Sequence, residues 1–513
     1  MLAHLRPPMI AVLAMLAVAV PVTGAVTASA SAATKPAAAP PAAAPPAPVS
    51  LAVGVTLTTS DMSQALSAQP QLTFSSTAPA GVPIVHVDDG VRYQTIKGMG
   101  GAMTDTSAWL IDDELTPAER QTLMASLFGP TGIDLNFLRV PIGASDFTVS
   151  PTPYTYDDLP AGQSDPGLSH FSIAHDRAYI LPMLDAALKL DPHVFVVGSL
   201  WSPPAWMKSN DNPNNLDEAG RLKASDYEPL AQYFVKFLQA YAAAGVHVSA
   251  ITPANEPGSE TTYPGMDLSE QAEQGFVTNY LSPALRTARL GTGIYGYDGG
   301  WASANTPFAD QLATSSAAHD LEGIATHCYY GAPGSISTLH DADPTLDEIV
   351  SECSPGITPY SVSDLLISSI RNWASAVGLW NLALDPRGGP VQAPNHGCPR
   401  CSGVVTVNPL THTFTPTLAY YQLGQVSKFV APGAVRIGSG NFVRYAYRGP
   451  GANIASPGLD DVAFRDPNGA EVLVAYNNSA APVAFALESS HGHYASYTLA
   501  PAATVTFTWD GAA

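Results

Sequence analysis

Basic residues are scarce in this chain, and that scarcity excludes a class of partner. Only 22 Lys and Arg stand against 43 Asp and Glu, leaving a formal net charge of −21 over 513 residues. A polyanion is repelled by such a field, and no local basic cluster offsets it, so nucleic acid is not an expected partner. Charged residues of either sign make up only 13% of the chain, which favours a neutral substrate, whereas the 46% hydrophobic content suffices for extensive burial. Cysteine is nearly missing: the chain has only Cys328, Cys353, Cys398 and Cys401. No second C-x-x-C accompanies "HGCPRCSG", so a zinc ribbon lacks half its ligands, and in an oxidising compartment Cys398 and Cys401 are expected to pair as a small disulfide. A zinc hydrolase using His396, Cys398, Cys401 and His412 is the disfavoured alternative. Whether Cys328 and Cys353 are free thiols stays open at this level. Beyond the N-terminal region no apolar run approaches the roughly 20 residues that a membrane-spanning helix needs.

The N-terminal region has a different character. His4 and Arg6 precede "MIAVLAMLAVAVPV", and the small-residue series Ala28-Ser29-Ala30-Ser31-Ala32 follows. This reads as a signal peptide over residues 1 to 32, with an Ala-x-Ala cleavage site, which implies a secreted, extracellular protein. Pro21 and the threonines after it argue against a membrane anchor. Residues 33 to 50, rich in Pro and Ala, read as a stiff linker, so folding is expected to begin near Leu51.

The 513 residues exceed one ordinary core, so a large domain with a smaller companion is expected. Between Ile96 and Phe429 eight apolar runs recur: "IKGMGGAM", "FLRVPIGA", "VFVVGSLWS", "VSAITPANE", "GIYGYDG", "GIATHCYY", "EIVSECS" and "AVGLWNLAL". Segments between them, such as "YEPLAQYFVKFLQAYAAAG", show apolar spacing of three and four with a terminal Gly, the mark of a helix and its stop. Nearly continuous apolar strands imply parallel pairing with both faces covered. Eight such units predict a (β/α)8 barrel over residues 96 to 430. An open doubly wound sheet is the alternative, but no G-x-G-x-x-G opens a helix after a strand. The flanks, 51 to 95 and 431 to 513, alternate polar and apolar residues between turn signals such as Pro467-Asn468-Gly469, and "FVRYAYRG" is among the strands expected there. They predict an accessory antiparallel β-sandwich formed from the N-terminal and C-terminal flanks together.

In such a barrel the working side chains sit at the C-terminal strand ends. Glu256, in "ITPANEPG", ends the fourth run, and Glu352, in "SECSPG", ends the seventh. Their separation, 352 − 256 = 96 residues, spans three βα units and lets the carboxylates face each other across the mouth. A facing pair suits glycosidic cleavage: one carboxyl protonates the leaving oxygen, and the other attacks or activates water at the anomeric carbon. Asn255 and the apolar strand are expected to keep Glu256 protonated, and bonds from Arg139 or Tyr329 to hold Glu352 ionised. Aromatic residues cluster near strand ends: Trp201 and Trp206 after the third run, Tyr329 and Tyr330 after the sixth, Trp380 on the eighth. Such rings cover the apolar faces of pyranoses, while Asp146, Asn255 and Asn395 are candidates for bonding hydroxyls.

The ordered stretches "IKGMGGAMTDTSAWL", "LRVPIGASDFT" with "YTYDD", "WSPPAWMKSN", "ITPANEP", "HCYYG", "SECS", "WNLALDPRGGP" and "YYQLGQVSKFVAPGAVRIGS" resemble glycoside hydrolase family 30, which includes glucosylceramidases and microbial β-1,6-glucanases. The resemblance implies retention, with Glu256 as acid/base and Glu352 as nucleophile. It also implies a glycone pocket containing Asp146, Trp201, Asn255 and Trp380, Tyr329 beside the nucleophile, and Arg139 and His327 in support. The chain departs from the family where Cys328 stands in a His-Trp-Tyr stretch and where "APNHGCPRCSG" replaces a loop that shapes outer subsites. The expectation is a monomeric retaining β-glycosidase acting on β-glucan-type oligo- or polysaccharides, most of all β-1,6-glucan, with no metal and no cofactor. Glucosylceramidase, β-xylosidase or β-1,6-galactanase specificity are the alternatives on the same scaffold. A non-catalytic carbohydrate-binding protein is the alternative of another class, and the intact carboxylate pair favours the enzyme.

Overall fold

Eight short, buried, largely apolar or small-residue strands can satisfy their backbone groups only by pairing on both edges, and here they close on themselves. The computed structural model describes residues 51–212, 220–258, 262–301, 307–358, 360–392, 398, 400–440 and 458–513. The expected leader and linker, "FVRYAYRG", Asn395 and His396 lie outside the described residues. The barrel strands are β1 (Gly98–Ala102), β2 (Phe137–Ile142), β3 (Phe195–Leu200), β4 (Ala250–Thr252), β5 (Gly293–Gly300), β6 (Gly323–His327), β7 (Asp347–Glu352) and β8 (Ala374–Leu379). They pair in chain order, all parallel, and β8 closes onto β1. Two runs stop earlier than their apolar content suggests. β4 ends at Thr252, where Pro253 lacks the N–H a ladder needs. β8 ends at Leu379, and Ala383–Leu384 pair instead with Val405–Asn408.

The helix expected from "YEPLAQYFVKFLQAYAAAG" spans Tyr227–Ala243 and buries Leu230, Phe234, Phe237 and Tyr241 along one stripe. Gly245 follows with φ of +89°, the left-handed conformation that terminates helices and suits glycine. No described helix is long and apolar enough to cross a membrane.

Both flanks enter one further sheet. Ala52–Thr58 pairs antiparallel with Thr504–Asp510, and Ile84–Thr95 pairs antiparallel with Val435–Ser439 and parallel with Val483–Glu488. The sheet has ten strands and doubles back, because Phe485 and Phe507, on strands far apart in its order, bring their rings within 6.1 Å. Its core holds Val53, Val55, Val85, Leu473 and Leu487.

What positions the site is layering inside the barrel. Phe137, Val197, Ala250, Tyr295, Ala325, Ile349 and Ala376 form an apolar plug. Side chains two positions later share that face, and on five strands these are Arg139, Ser199, Thr252, His327 and Ser351. A polar layer therefore sits on the apolar floor. β5 breaks the pattern: its pairing with β6 slips near Tyr297, and Tyr297 and Asp298 adopt φ of +72° and +51°. The bulge turns Tyr297 outward and sends Asp298 to the centre, a common use of bulges beside active sites.

The strands pack closely at β1, where a Cβ on Gly100 would lie 1.9 Å from the Phe137 carbonyl oxygen. Gly100→Ala is therefore expected to lower stability by about 3 kcal/mol, measured by urea unfolding. An unchanged midpoint would show that β1 and β2 do not pack this closely.

Candidate active site

The polar layer is organised around two buried cations. Arg139 is fully buried, and its Nη1 donates to Glu352 Oε2. Its Nη2 donates to Asp298 Oδ2 at 2.7 Å, to Asn255 Oδ1 at 2.7 Å and to Ser199 Oγ at 2.9 Å. The guanidinium carbon lies 4.6 Å from the ring centre of Trp201 and 5.7 Å from that of Trp380. Asp298 also accepts from Ser199 Oγ at 2.5 Å, Thr252 Oγ1 at 2.7 Å and Ser351 Oγ at 2.6 Å. Burial opposes its charge, but Arg139 and His327 outweigh that cost and hold its pKa well below the usual carboxylate range.

His327 joins Asp298 to the candidate pair. Its Nε2 lies 3.1 Å from Asp298 Oδ1, and its Nδ1 lies 3.0 Å from Glu256 Oε1 and 4.0 Å from Glu352 Oε1. Burial disfavours the imidazolium, yet Glu352, Asp298 and Glu256 overcome this and push its pKa up to about 10. Glu256 follows β4 with φ of +43°, and its N–H donates to the Asp298 carbonyl at 2.8 Å. Glu352 ends β7 and accepts from Tyr329 Oη at 2.9 Å. Facing oxygens of the two glutamates lie within 4.8 Å of each other. This is the range of a pair that attacks directly, since an inverting pair stands about 6.5 to 9.5 Å apart.

The expected bonds to Glu352 are present, but burial and the neighbouring Glu256 push its pKa up against the pull of His327, Arg139 and Tyr329. Asp146 is pushed well above the usual range by burial and by both glutamates. Four carboxyls thus share two cations. Asp298 is held ionised, and Glu352 touches Arg139 and faces His327, whereas Glu256 touches His327 alone.

A cleft of about 330 Å³ opens above the pair, lined by Asp146, Tyr263, Tyr329, Tyr330, Trp380 and Arg400 among others. The structure places several expected residues differently. Trp201 is 1% exposed and stacks on Trp380 at 5.2 Å, so it backs the cleft rather than lining it. Asn255 directs Oδ1 to Arg139 instead of supporting Glu256. Trp206 is core, its indole N–H donating to the Asp157 carbonyl at 3.1 Å. Cys398 and Cys401 are disulfide-bonded on the cleft wall, and Cys328 and Cys353 are bonded to each other, which settles their state. The second bridge joins the residues that directly follow His327 and Glu352. The zinc grouping fails: its cysteines are oxidised, and His412 Nδ1 bonds the Glu114 carbonyl oxygen at 2.8 Å. Sequence reasoning missed Asp298, although it also ends an apolar run.

Because His327 has its pKa raised to about 10, its charge stabilises the fold fully below the unfolded value of about 6.5, and that contribution is lost as pH rises through the folded value. The stability gap between the wild type and His327→Gln is therefore expected to narrow from pH 6.5 to pH 10 in urea titrations. A gap independent of pH would show that His327 is neutral in the fold.

Comparison with known proteins agrees with this arrangement. The model of the glycosyl hydrolase family 30 TIM-barrel domain matches residues 96–430, and that of the family's beta-sandwich domain matches residues 433–507. Endo-1,6-beta-D-glucanase neg1 of Aspergillus fumigatus is 35% identical over 406 residues, covering 75% of this chain and 78% of that protein. The lysosomal acid glucosylceramidase of Mus musculus is 30% identical over 431 residues, 76% of each chain. The solved structure of the endo-beta1,6-glucanase BT3312 superimposes with a TM-score of 0.77 at 26% identity, covering 89% of this chain and 99% of that one. The chain belongs to glycosyl hydrolase family 30 and is a retaining glycoside hydrolase.

Proposed function

We propose that this enzyme cleaves β-1,6-glucan outside the cell by double displacement, with Glu352 as nucleophile and Glu256 as acid/base. The observation that carries the roles is the spacing of the pair, within 4.8 Å between facing oxygens, together with its unequal surroundings. Glu352 touches Arg139 and faces His327, so the charge that a nucleophile carries has two cations beside it. Glu256 is the more open, with its side chain 18% exposed against 7% for Glu352, which suits a group that meets the leaving oxygen and then the incoming water. Attack by Glu352 Oε on the anomeric carbon forms the glycosyl ester while Glu256 protonates the departing oxygen. Glu256 then takes a proton from water, which attacks the same carbon and releases Glu352. Carboxylate chemistry of this kind calls on no cofactor.

The relatives named endo-1,6-beta-D-glucanase support the substrate. So does the cleft: Tyr330, 76% exposed at its rim, offers an open ring to a further sugar of a chain-like substrate. Trp380 and Tyr329 suit the sugar at the cleavage point, with Asp146 at its hydroxyls; Asn395 stays a candidate there. Export is supported by the leader-like N-terminus and by two disulfides in a chain of four cysteines.

Glu352→Gly is expected to lose at least about 10⁴-fold in kcat on linear β-1,6-glucan and to regain turnover with azide in place of the missing carboxylate. Glu256→Ala should retain cleavage only of aryl glucosides whose leaving groups need no proton. Wild-type rates in Glu352→Gly would end the assignment of the nucleophile. Faster cleavage of β-1,3-glucan, β-1,4-glucan or glucosylceramide than of β-1,6-glucan would end the assignment of the substrate.

A further inference from the structure

Away from the cleft, the segment between β2 and the helix Ile180–Leu190 holds a buried carboxylate that the catalytic reading does not use. Asp157 is 1% exposed, and neither carboxylate oxygen has a hydrogen-bond partner among the described residues. Its backbone, by contrast, is fixed on both sides. The N–H donates to Thr155 Oγ1 at 3.3 Å, and the carbonyl accepts from the Trp206 indole at 3.1 Å. The preceding Tyr156 is held by Tyr233 and Asp176. No Lys or Arg of the described residues forms an ion pair with it. A buried carboxylate whose oxygens accept no geometrically formed hydrogen bond, with only the His170 imidazole and the Trp206 indole near it to offset its charge, is costly to keep, so the fold retains it only where something repays that cost.

Its neighbours indicate what does. Asp157, Asp165 and His170 each present one ligand atom, and the three atoms lie within 4.8 Å of one another. Asp165 is 9% exposed and is oriented by Ser169 Oγ at 2.9 Å and by the His170 N–H at 2.8 Å. His170 Nδ1 lies 2.8 Å from Asp165 Oδ2, and its side chain is 65% exposed, which leaves an open edge for entry. Two carboxylates and one imidazole form a donor set suited to zinc-like divalent ions, which accept mixed nitrogen and oxygen ligands. We propose that Asp157, Asp165 and His170 bind a divalent transition-metal ion of the zinc class as a structural clip. The ion cross-links a segment that begins after β2 and also carries Asp146, 157 − 146 = 11 residues upstream, in the cleft wall. Catalysis by the glutamates runs without it.

The test uses the full-length, untagged, chelator-treated enzyme, with Zn²⁺ as the probe in calorimetric titration and thermal unfolding. One ion per chain is expected to bind this site, with Tm rising by about 2 to 4 °C at saturation. Asp157→Asn should abolish that rise while matching or exceeding the wild-type Tm without metal, because an uncompensated buried charge is gone. Exposed His170→Ala, which cannot compromise the core, should likewise abolish it and serves if Asp157→Asn does not fold. Glu256→Gln should keep the rise, which separates this site from Glu256, His327 and Glu352. A wild type unmoved by Zn²⁺, variants at 157 and 170 stabilised as the wild type is, or loss of the rise in Glu256→Gln would each overturn the proposal.

Discussion

A guanidinium buried at the centre of a barrel cannot be hydrated, and most of this site follows from that constraint. Arg139 is without solvent contact, so its charge must be met by carboxylates and its N–H groups by acceptors. Glu352, Asp298, Asn255 and Ser199 meet its charge and its two terminal nitrogens from four different strands or strand ends, while Nε–H finds no acceptor among the described residues. The planar fork fixes their directions as well as their charges, which a flexible ammonium would not do. The nucleophile candidate is thereby held against a cation and a second carboxylate, and its partner across the gap is left to His327. Asp298 supplies the remaining order: it is the anion that lets both Arg139 and His327 stay charged beside the two glutamates.

The rest of the molecule serves that centre. The apolar plug below the polar layer keeps water out from the floor, which strengthens each bond above it. The Cys328–Cys353 bridge joins the strand ends that carry His327 and Glu352, so the two cannot drift apart independently. Trp201, although buried, covers one side of the Arg139 guanidinium and stacks on Trp380, passing rigidity to the ring that lines the cleft. Further out, Tyr330, Arg400 and the Cys398–Cys401 disulfide line the cleft.

Much of this was legible in the residues themselves. Eight apolar runs predicted the barrel, and the ends of the fourth and seventh identified Glu256 and Glu352 before any distance was known. Arg139 and Tyr329 were expected beside Glu352 and are there. What escaped has definite causes. A strict period of two along "GIYGYDGG" points Tyr297 inward and Asp298 outward; the bulge that reverses them leaves no mark in composition. Trp201 was placed against the sugar because it ends a strand, but it is buried between the Arg139 guanidinium and Trp380, and the same arginine takes the Oδ1 of Asn255. Cys328 and Cys353, 25 residues apart, become neighbours only through the closing of β6 onto β7. Asp157, whose carboxylate lies near Asp165 and His170, looks in sequence like half of an ordinary acidic turn.

Glu352, held by Arg139 within reach of Glu256, is expected to form a covalent bond to the sugar. Incubation with an activated 2-deoxy-2-fluoro-β-glucoside, followed by digestion and mass spectrometry, tests it most directly, because the fluorine slows breakdown of the intermediate. One fluoroglucosyl adduct per chain is expected, on Glu352 in the peptide containing "SECSPG". An adduct on Glu256 or any other side chain would contradict it.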